Sequence, residues 1–583
     1  MDIRWKLDNI YKSLDCEELS ADISEYSEKL DALNTFAEVN FNDIADPERV
    51  IEGYISKVNE LLLYNKISAY LNFILSADTE NKQAAKLFDR VSSISAKAAK
   101  SESLFKEYIK NIDVEKFINN PVIKEHMCFL KREKEDAAHT LSPETEETAA
   151  SLKATGSQSW QKLWEGASSS LMCSFRGKEV SLSEIRGMAY SSDKTVRRDA
   201  YEGELAAYEK ISSVGAACLN AIKGEVISLC NLRGYKSPLE ESALTSGIDL
   251  DILKAMTDAI DENIYALNKF YRIKAEYMGK KRLPFYDLFT PVGESELKFT
   301  FEEAKSYVVN TYSGFSEKLG AFAKKAFKGE WVDAFPRKGK VGGAYCEYIK
   351  SIEESRVLMN FSGNFEDIIT LSHELGHGYH NEVLRNESPI NSDYPMTLAE
   401  TASTFCENLS YKRAETVFSG QNLLTVKESR LSGELQSICD IYSRFLFEDS
   451  FFEERKKGGL SAEEICSLME KAQKKAYFEG LDPEYLHPYM WLCKPHYYDA
   501  DFNYYNYPYA FGDLFARSLF AMYEEMGAEF VPQYDIILSN AGKKTVKEVG
   551  KLAGIDFTDK TFWEKGIKNI LKDIDSLEEL MKK

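Results

Sequence analysis

A chain of 583 residues, 44% of them apolar, is long enough to bury more than one core, so two domains or one large multi-lobed body is expected. Its formal net charge of −21 argues against nucleic acid or an anionic membrane as partner, since both require positive charge to displace counterions. Ten cysteines without a C-x-x-C pair exclude a disulfide framework or a cysteine-zinc cluster, and neither a secretory leader nor a run of about 18 apolar residues is found. The expectation is a reduced, cytoplasmic protein.

Scarce proline and plentiful Leu, Ala, Glu and Lys favour helix throughout. From Cys16 to about Lys116 apolar residues recur at three- and four-residue steps, as in Leu63, Ile67, Leu71 and Ile74, which is the pattern of amphipathic helices. Ser142-Pro143-Glu144 reads as a cap followed by proline in the first helical turn. Leu171 to Phe175 and Glu179 to Leu182, joined by Arg176-Gly177-Lys178, read as a short hairpin. Helical periodicity returns from Asp193 to Ala266 and ends near Gly279. A strand-like patch surrounds Lys340 to Tyr348, where Gly342 and Gly343 weaken a helix. Beyond it the chain reads as helix nearly to its end, broken by an aromatic loop from Tyr485 to Tyr509. A domain boundary is expected near 190, giving an N-terminal helical lobe over 1–190 and a catalytic domain over 191–583.

Histidine is rare, and five of the seven fall after residue 370. Two of them frame the run His373-Glu374-Leu375-Gly376-His377. Positions four apart lie on one helical face about 6 Å apart, so two imidazoles can converge on one ion. Glu374 then sits beside the remaining coordination site, where a carboxylate can act as base toward water. A catalytic zinc takes three protein ligands and one open position. His380 is seven residues from His373, roughly 10 Å along a helix, too far for ~2 Å bonds to one ion. A histidine ten residues after the first is absent, since Val383 stands there. A carboxylate on a following helix is therefore expected, and Thr397 to Glu407 offers two on one face among small residues. Glu400 is taken as the third ligand, and Glu407 as the acceptor for the outer N–H of a ligating histidine. Gly376 costs ~1 kcal/mol against alanine inside a helix, so a close approach of substrate or of another backbone is expected there.

His373 to His380, followed by Ala399-Glu400-Thr401-Ala402-Ser403-Thr404, resembles the oligoendopeptidase F branch of the thimet oligopeptidase family, a family of zinc metallopeptidases. Phe335 to Lys340 running into Gly343-Ala344-Tyr345, together with Tyr286-Asp287-Leu288 and Trp160 to Leu163, is similar to further segments of that family. The resemblance covers most of the chain from about Leu130 onward. It implies a mainly α, two-lobed, clam-like body with a deep substrate channel and a small β-sheet beside the zinc helix. It also implies one Zn²⁺ per chain and unfolded oligopeptides as substrates. The Gly343, Ala344 and Tyr345 backbone would meet the substrate by strand addition. A family histidine matches His496, and downstream tyrosines are implied as oxyanion donors. Aligning on Tyr505-Asn506-Tyr507-Pro508-Tyr509-Ala510 makes Tyr505 the donor, with Tyr507 and Tyr498 as further substrate contacts, while His487 reads as structural. The reaction implied is endopeptidic hydrolysis with Glu374 as general base. The alternatives are an exopeptidase of the same fold, which needs a cationic clamp for a terminal carboxylate, and a peptide-binding protein that keeps zinc only for stability.

Overall fold

The computed structural model describes residues 3–42, 45–293 and 297–582. It is mostly helical, and among the described residues the strands form one two-stranded and one three-stranded sheet. The chain divides into two compact units, each assembled from three stretches of sequence. The first comprises Met1–His139, Leu297–Arg413 and Met522–Ile555, and the second Thr140–Glu296, Ala414–Ala521 and Asp556–Lys583.

In the first unit the amphipathic pattern of the N-terminal hundred residues becomes packed helices. Helix Leu63–Ala77 turns Ile67, Leu71 and Phe73 into a core shared with Ile349 and Leu358 of the sheet. That sheet runs in the order Val332–Asp333, Glu354–Leu358, Tyr345–Ile349, so strand Tyr345–Ile349 lies at an edge. It pairs antiparallel with its neighbour, Tyr345 opposite Leu358 and Ile349 opposite Glu354. The Asn65 side chain donates to the Tyr348 carbonyl (3.0 Å) and accepts from the Lys350 N–H (3.0 Å). The strand-like patch at 340–348 is thus a strand starting five residues later than the patch does, after Gly343 takes a left-handed φ of 79°.

The second unit is organised on the 39-residue helix Lys194–Leu232. By length and composition this helix could cross a membrane, yet it buries Arg197 and Lys223. Arg197 is paired with Asp287 at 2.7 Å and Lys223 with Glu448 at 3.0 Å. Paired charges inside a packed unit mark a core helix. The expected hairpin is present as Met172–Phe175 and Lys178–Ser181, with Arg176 (φ 50°) and Gly177 (φ 78°) forming the left-handed two-residue turn that suits the strand twist. Ser142 caps helix Pro143–Thr155 as read from sequence. The aromatic loop ends earlier than expected, because Tyr507 to Tyr509 already belong to helix Tyr507–Met526.

Arg517 is fully buried in this unit, with Glu434 at 2.5 Å and Asp573 at 2.8 Å. Burial would raise the Asp573 carboxyl, but the Arg430, Arg517 and Lys427 charges hold it far below the usual range. A carboxylate depressed in the folded state contributes stability that is complete above its unfolded value of about 4 and is lost as pH falls. Arg517→Met is expected to cost about 1.5–3 kcal/mol at neutral pH, because it removes a buried guanidinium from two half-buried carboxylates that keep Arg430 and Lys427. Denaturant midpoints at pH 7 and in acid check this: the gap between wild type and variant should narrow on acidification.

Candidate metal centre

Helix Phe365–Val383 carries both histidines of the motif and lies wholly in the first unit. Its start is fixed by a capping box in which Asn364 accepts from the Asp367 N–H (2.9 Å) and Asp367 accepts from the Asn364 N–H (3.1 Å). Asp367 also accepts from the N–H groups of Ser362 and Gly363, both at 2.7 Å, so the loop leading into the helix is pinned to its first turn. Leu371, Leu375 and Tyr379 anchor the buried face.

His373 and His377 point their Nε2 atoms at one another, 3.1 Å apart. Glu400 Oε2 lies 3.3 Å from each of those nitrogens. Ligands on a tetrahedral zinc with ~2.0–2.1 Å bonds sit about 3.3 Å from one another. The three donor atoms therefore already occupy one face of such a tetrahedron, and a zinc ion fits them. Glu407 Oε1 approaches the other nitrogen of His373, Nδ1, at 2.5 Å, the position from which a carboxylate would set the tautomer and ring orientation of a ligating histidine. Burial opposes a charge on His373, but Glu407 together with Glu374 and Glu400 pushes its pKa up to about 9. Burial would also raise Glu400, yet His377, His373 and a 2.7 Å hydrogen bond from Ser403 Oγ bring it down to about 2.

Glu400 stands at the joint between the short helix Met396–Ala399 and helix Thr401–Val417, one residue before the helix on which it was expected. From that joint its carbonyl accepts the Thr404 N–H at 3.0 Å. The two ligand-bearing helices touch at Gly376, where a Cβ would come within 2.7 Å of both Ala402 O and Ser403 Cα. The close approach expected at this glycine is thus one of backbone to backbone. Ser372 Oγ donates to the Cys406 carbonyl (3.0 Å) and Ser410 Oγ to Ser372 Oγ (2.8 Å), stitching the same interface. None of Ser372, Ser403 and Ser410 was singled out in the sequence, since serine in a helix carries no distinctive spacing.

Glu374 is buried, and burial raises its carboxyl against the lowering pull of His373 and His377. His380 lies apart from the ligand set, stacked on Tyr394 with ring centroids 4.3 Å apart and its Nε2 at 3.2 Å from the Leu538 carbonyl. Burial depresses its pKa to about 3. Gly343, Ala344 and Tyr345 enter the edge strand, whose Cys346 Sγ lies 3.6 Å from where a Cβ on Gly378 would be. The strand therefore packs on the ligand helix.

The remaining expected site residues belong to the second unit. His496 is half-buried, its ring 5.5 Å from that of Tyr505. Burial, with Arg444, Lys223 and Lys494 nearby, lowers its pKa to about 3, so it is neutral at physiological pH. Tyr505 is 38% exposed and its hydroxyl meets that of Tyr509 at 2.9 Å. Two tyrosines are placed differently from expectation. Tyr498 is fully buried and stacked on Trp164 at 4.2 Å, and Tyr507 is 2% exposed with its hydroxyl donating to the Ser242 carbonyl at 2.9 Å. Both side chains are packed in this structure. Tyrosine suits a core or a site equally well, so composition could not separate the two roles.

Replacing Glu407 by alanine should free the outer nitrogen of His373 and weaken metal affinity about 10–100-fold. Competition with a chromophoric chelator measures this directly, and an unchanged affinity would deny Glu407 its orienting part.

A mostly helical body with two imidazoles and a carboxylate converging from adjoining helices, and a buried glutamate beside them, defines a metallopeptidase. A family profile described as Peptidase family M3 matches residues 187–569, and one described as Oligopeptidase F matches 109–172. Oligopeptidase PepF of Bacillus subtilis is 23% identical, with 99% of this chain and 87% of the relative aligned. Among solved structures, a peptidase of Chlamydophila abortus superposes with a TM-score of 0.89 at 20% identity, over 99% of this chain and 98% of the other. Oligoendopeptidase-F of Enterococcus faecium gives 0.68 at 20% identity, over 97% and 99%. The chain belongs to peptidase family M3, in its oligoendopeptidase F branch.

Proposed function

We propose that this protein is a zinc endopeptidase that cleaves internal bonds of short, unfolded oligopeptides. The observation that carries the reading is the set of three donor atoms from His373, His377 and Glu400, mutually 3.1 to 3.3 Å apart. Bound there, zinc would supply Lewis acidity toward the peptide carbonyl and acidify a water. Glu374 takes the water's proton and passes it to the leaving amine, a role suited to a buried carboxyl whose pKa is raised. The edge strand offers main-chain partners to an extended peptide. Asn65 already occupies Tyr348 and Lys350, and Asn360 the Gly343 carbonyl (3.0 Å), so pairing falls on the stretch from the Gly343 N–H to Cys346. His496 and Tyr505 are proposed as neutral donors to the oxyanion, on the strength of the family resemblance and of His496 being uncharged. The expected boundary near residue 190 lies inside the stretch Thr140–Glu296 of the second unit, so the compact units do not follow a single cut there. A cytoplasmic location is supported by ten free thiols.

Cleavage mapping by mass spectrometry tests the proposal, using a mixed peptide library with blocked and with free termini, before and after chelation and with zinc added back. Internal cleavage that disappears with chelator and returns with zinc is expected. Cutting only of peptides with a free end would point to an exopeptidase, and full zinc content without turnover to a binding protein.

A further inference from the structure

The second unit contains another convergence of metal-ligating side chains, remote in sequence from the histidine motif. Glu204 lies on the long helix Lys194–Leu232, His487 follows helix Ala462–Tyr477, and Cys493 ends the short turn Met490–Leu492. His487 Nε2 is 3.6 Å from Glu204 Oε1, and Cys493 Sγ is 3.9 Å from the same oxygen. One ligand atom from each of the three lies within 4.8 Å of the others. On a tetrahedral zinc, nitrogen and oxygen ligands are about 3.3 Å apart and sulfur and oxygen about 3.6 Å, given bonds near 2.0–2.1 and 2.3 Å. Both observed separations exceed those edges by only about 0.3 Å.

His487 provides a second, independent observation. It is 1% exposed, yet neither ring nitrogen has a hydrogen-bond partner. Buried imidazoles are ordinarily satisfied, so an unsatisfied one calls for an explanation. Its placement is built: Gln473 clamps its backbone with hydrogen bonds of 3.0 and 2.9 Å. The ring is boxed by Phe285, Tyr201 and Tyr208, with centroids 5.1, 6.0 and 6.1 Å away. Glu204 and His487 also line a cavity of about 300 Å³, shared with Arg186, Lys494 and the Asp287-paired Arg197, which leaves room for an additional, anionic ligand.

We propose that Glu204, His487 and Cys493 form a second metal site, separate from the peptidase centre, with zinc as the ion it suits. Thiolate and imidazole select zinc over magnesium or calcium, and three protein ligands leave one position open toward the cavity. The ion displaces the Cys493 thiol proton, so one sulfur–metal bond forms as one S–H bond breaks and the proton leaves to solvent. The opposing consideration is Arg186, whose Nε is 3.3 Å from Glu204 Oε1. A carboxylate and a thiolate together neutralise the dication, so Arg186 faces a site with no net charge. The simpler arrangement, a thiol and an imidazole resting against a carboxylate held by Arg186, pairs Nε2 with Glu204 at 3.6 Å but leaves Nδ1 unexplained.

Sulfur distinguishes this site from the first, because His373, His377 and Glu400 offer none. Full-length protein loaded with Co²⁺ should bind two ions per chain by elemental analysis and show a thiolate-to-cobalt charge-transfer band in the near ultraviolet. Cys493→Ser should lose the band and one ion while retaining peptide hydrolysis. His373→Ala should lose the other ion and hydrolysis while keeping the band. A single ion per chain without the band, or a band that survives Cys493→Ser, overturns the second site whatever becomes of the proposed peptidase mechanism. Should Cys493→Ser fail to fold, Glu204→Gln, which keeps the thiol, must weaken the band, and an unaltered band there overturns the site equally.

Discussion

Glu374→Gln is expected to lower kcat on a quenched oligopeptide by about 10²–10⁴-fold while leaving zinc content at wild-type level. The side chain is buried beside the proposed ligands without belonging to them: the three converging donor atoms come from His373, His377 and Glu400. Glutamine keeps the shape and one carbonyl oxygen, so packing is preserved and only the ability to accept a proton is lost. Substrate affinity should change much less than kcat, since the missing interaction belongs to the proton transfer. Near-full activity with full zinc would remove Glu374 as the base and the mechanism with it.

Gly376→Ala is expected to be nearly as damaging, although the residue makes no contact with a ligand atom through its own side chain. The added methyl would fall 2.7 Å from Ala402 O and 2.7 Å from Ser403 Cα, both parts of a backbone that cannot rotate out of the way. The ~1 kcal/mol of helix propensity gained by alanine does not offset overpacking of a tight interface, which costs about 1–3 kcal/mol. The larger consequence is geometric. Separating the helices draws Glu400 away from the two histidines, and a misplacement of about 1 Å at a reacting centre can cost 10²-fold. Zinc affinity and kcat/KM are both expected to fall by about two orders of magnitude. Isothermal titration with zinc and steady-state kinetics read the two losses. A variant that keeps both would mean that the helices relax without disturbing the ligands.

Much of the peptidase centre was legible because its chemistry forces a local spacing. Two histidines on one helical face with a glutamate between them can be read from five consecutive residues. Eliminating His380 and Val383 directed attention to the helix that follows, where Glu400 and Glu407 are found. The hairpin at Arg176-Gly177 and the caps at Ser142 and Asn364 were or could be read from backbone chemistry alone. What escaped depends on distance through space. Asn65, which caps the edge strand at Tyr348, lies nearly three hundred positions from it in sequence. Each unit is built from three separate stretches, a pattern to which hydrophobic periodicity is blind. The burial of Tyr498 and Tyr507 was hidden for a related reason: the Trp164 ring and the Ser242 carbonyl that meet them lie far away in sequence. Glu204, His487 and Cys493 have no spacing in common and drew no attention as a group.

His373 is gripped from both sides by carboxylates at positions 400 and 407, one at each ring nitrogen. Glu407 reaches it from helix Thr401–Val417 and Glu400 from the joint directly before that helix, so the proposed third ligand and its orienting partner are carried by one continuous stretch of chain. The first turns of that stretch can therefore not slide or rotate in a way that costs only one of the two contacts. Partial occupancy by a loosened helix is disfavoured, so metal should be held or released nearly as a single event. Zinc release during unfolding would then report when this helix undocks, whatever the rest of the chain is doing.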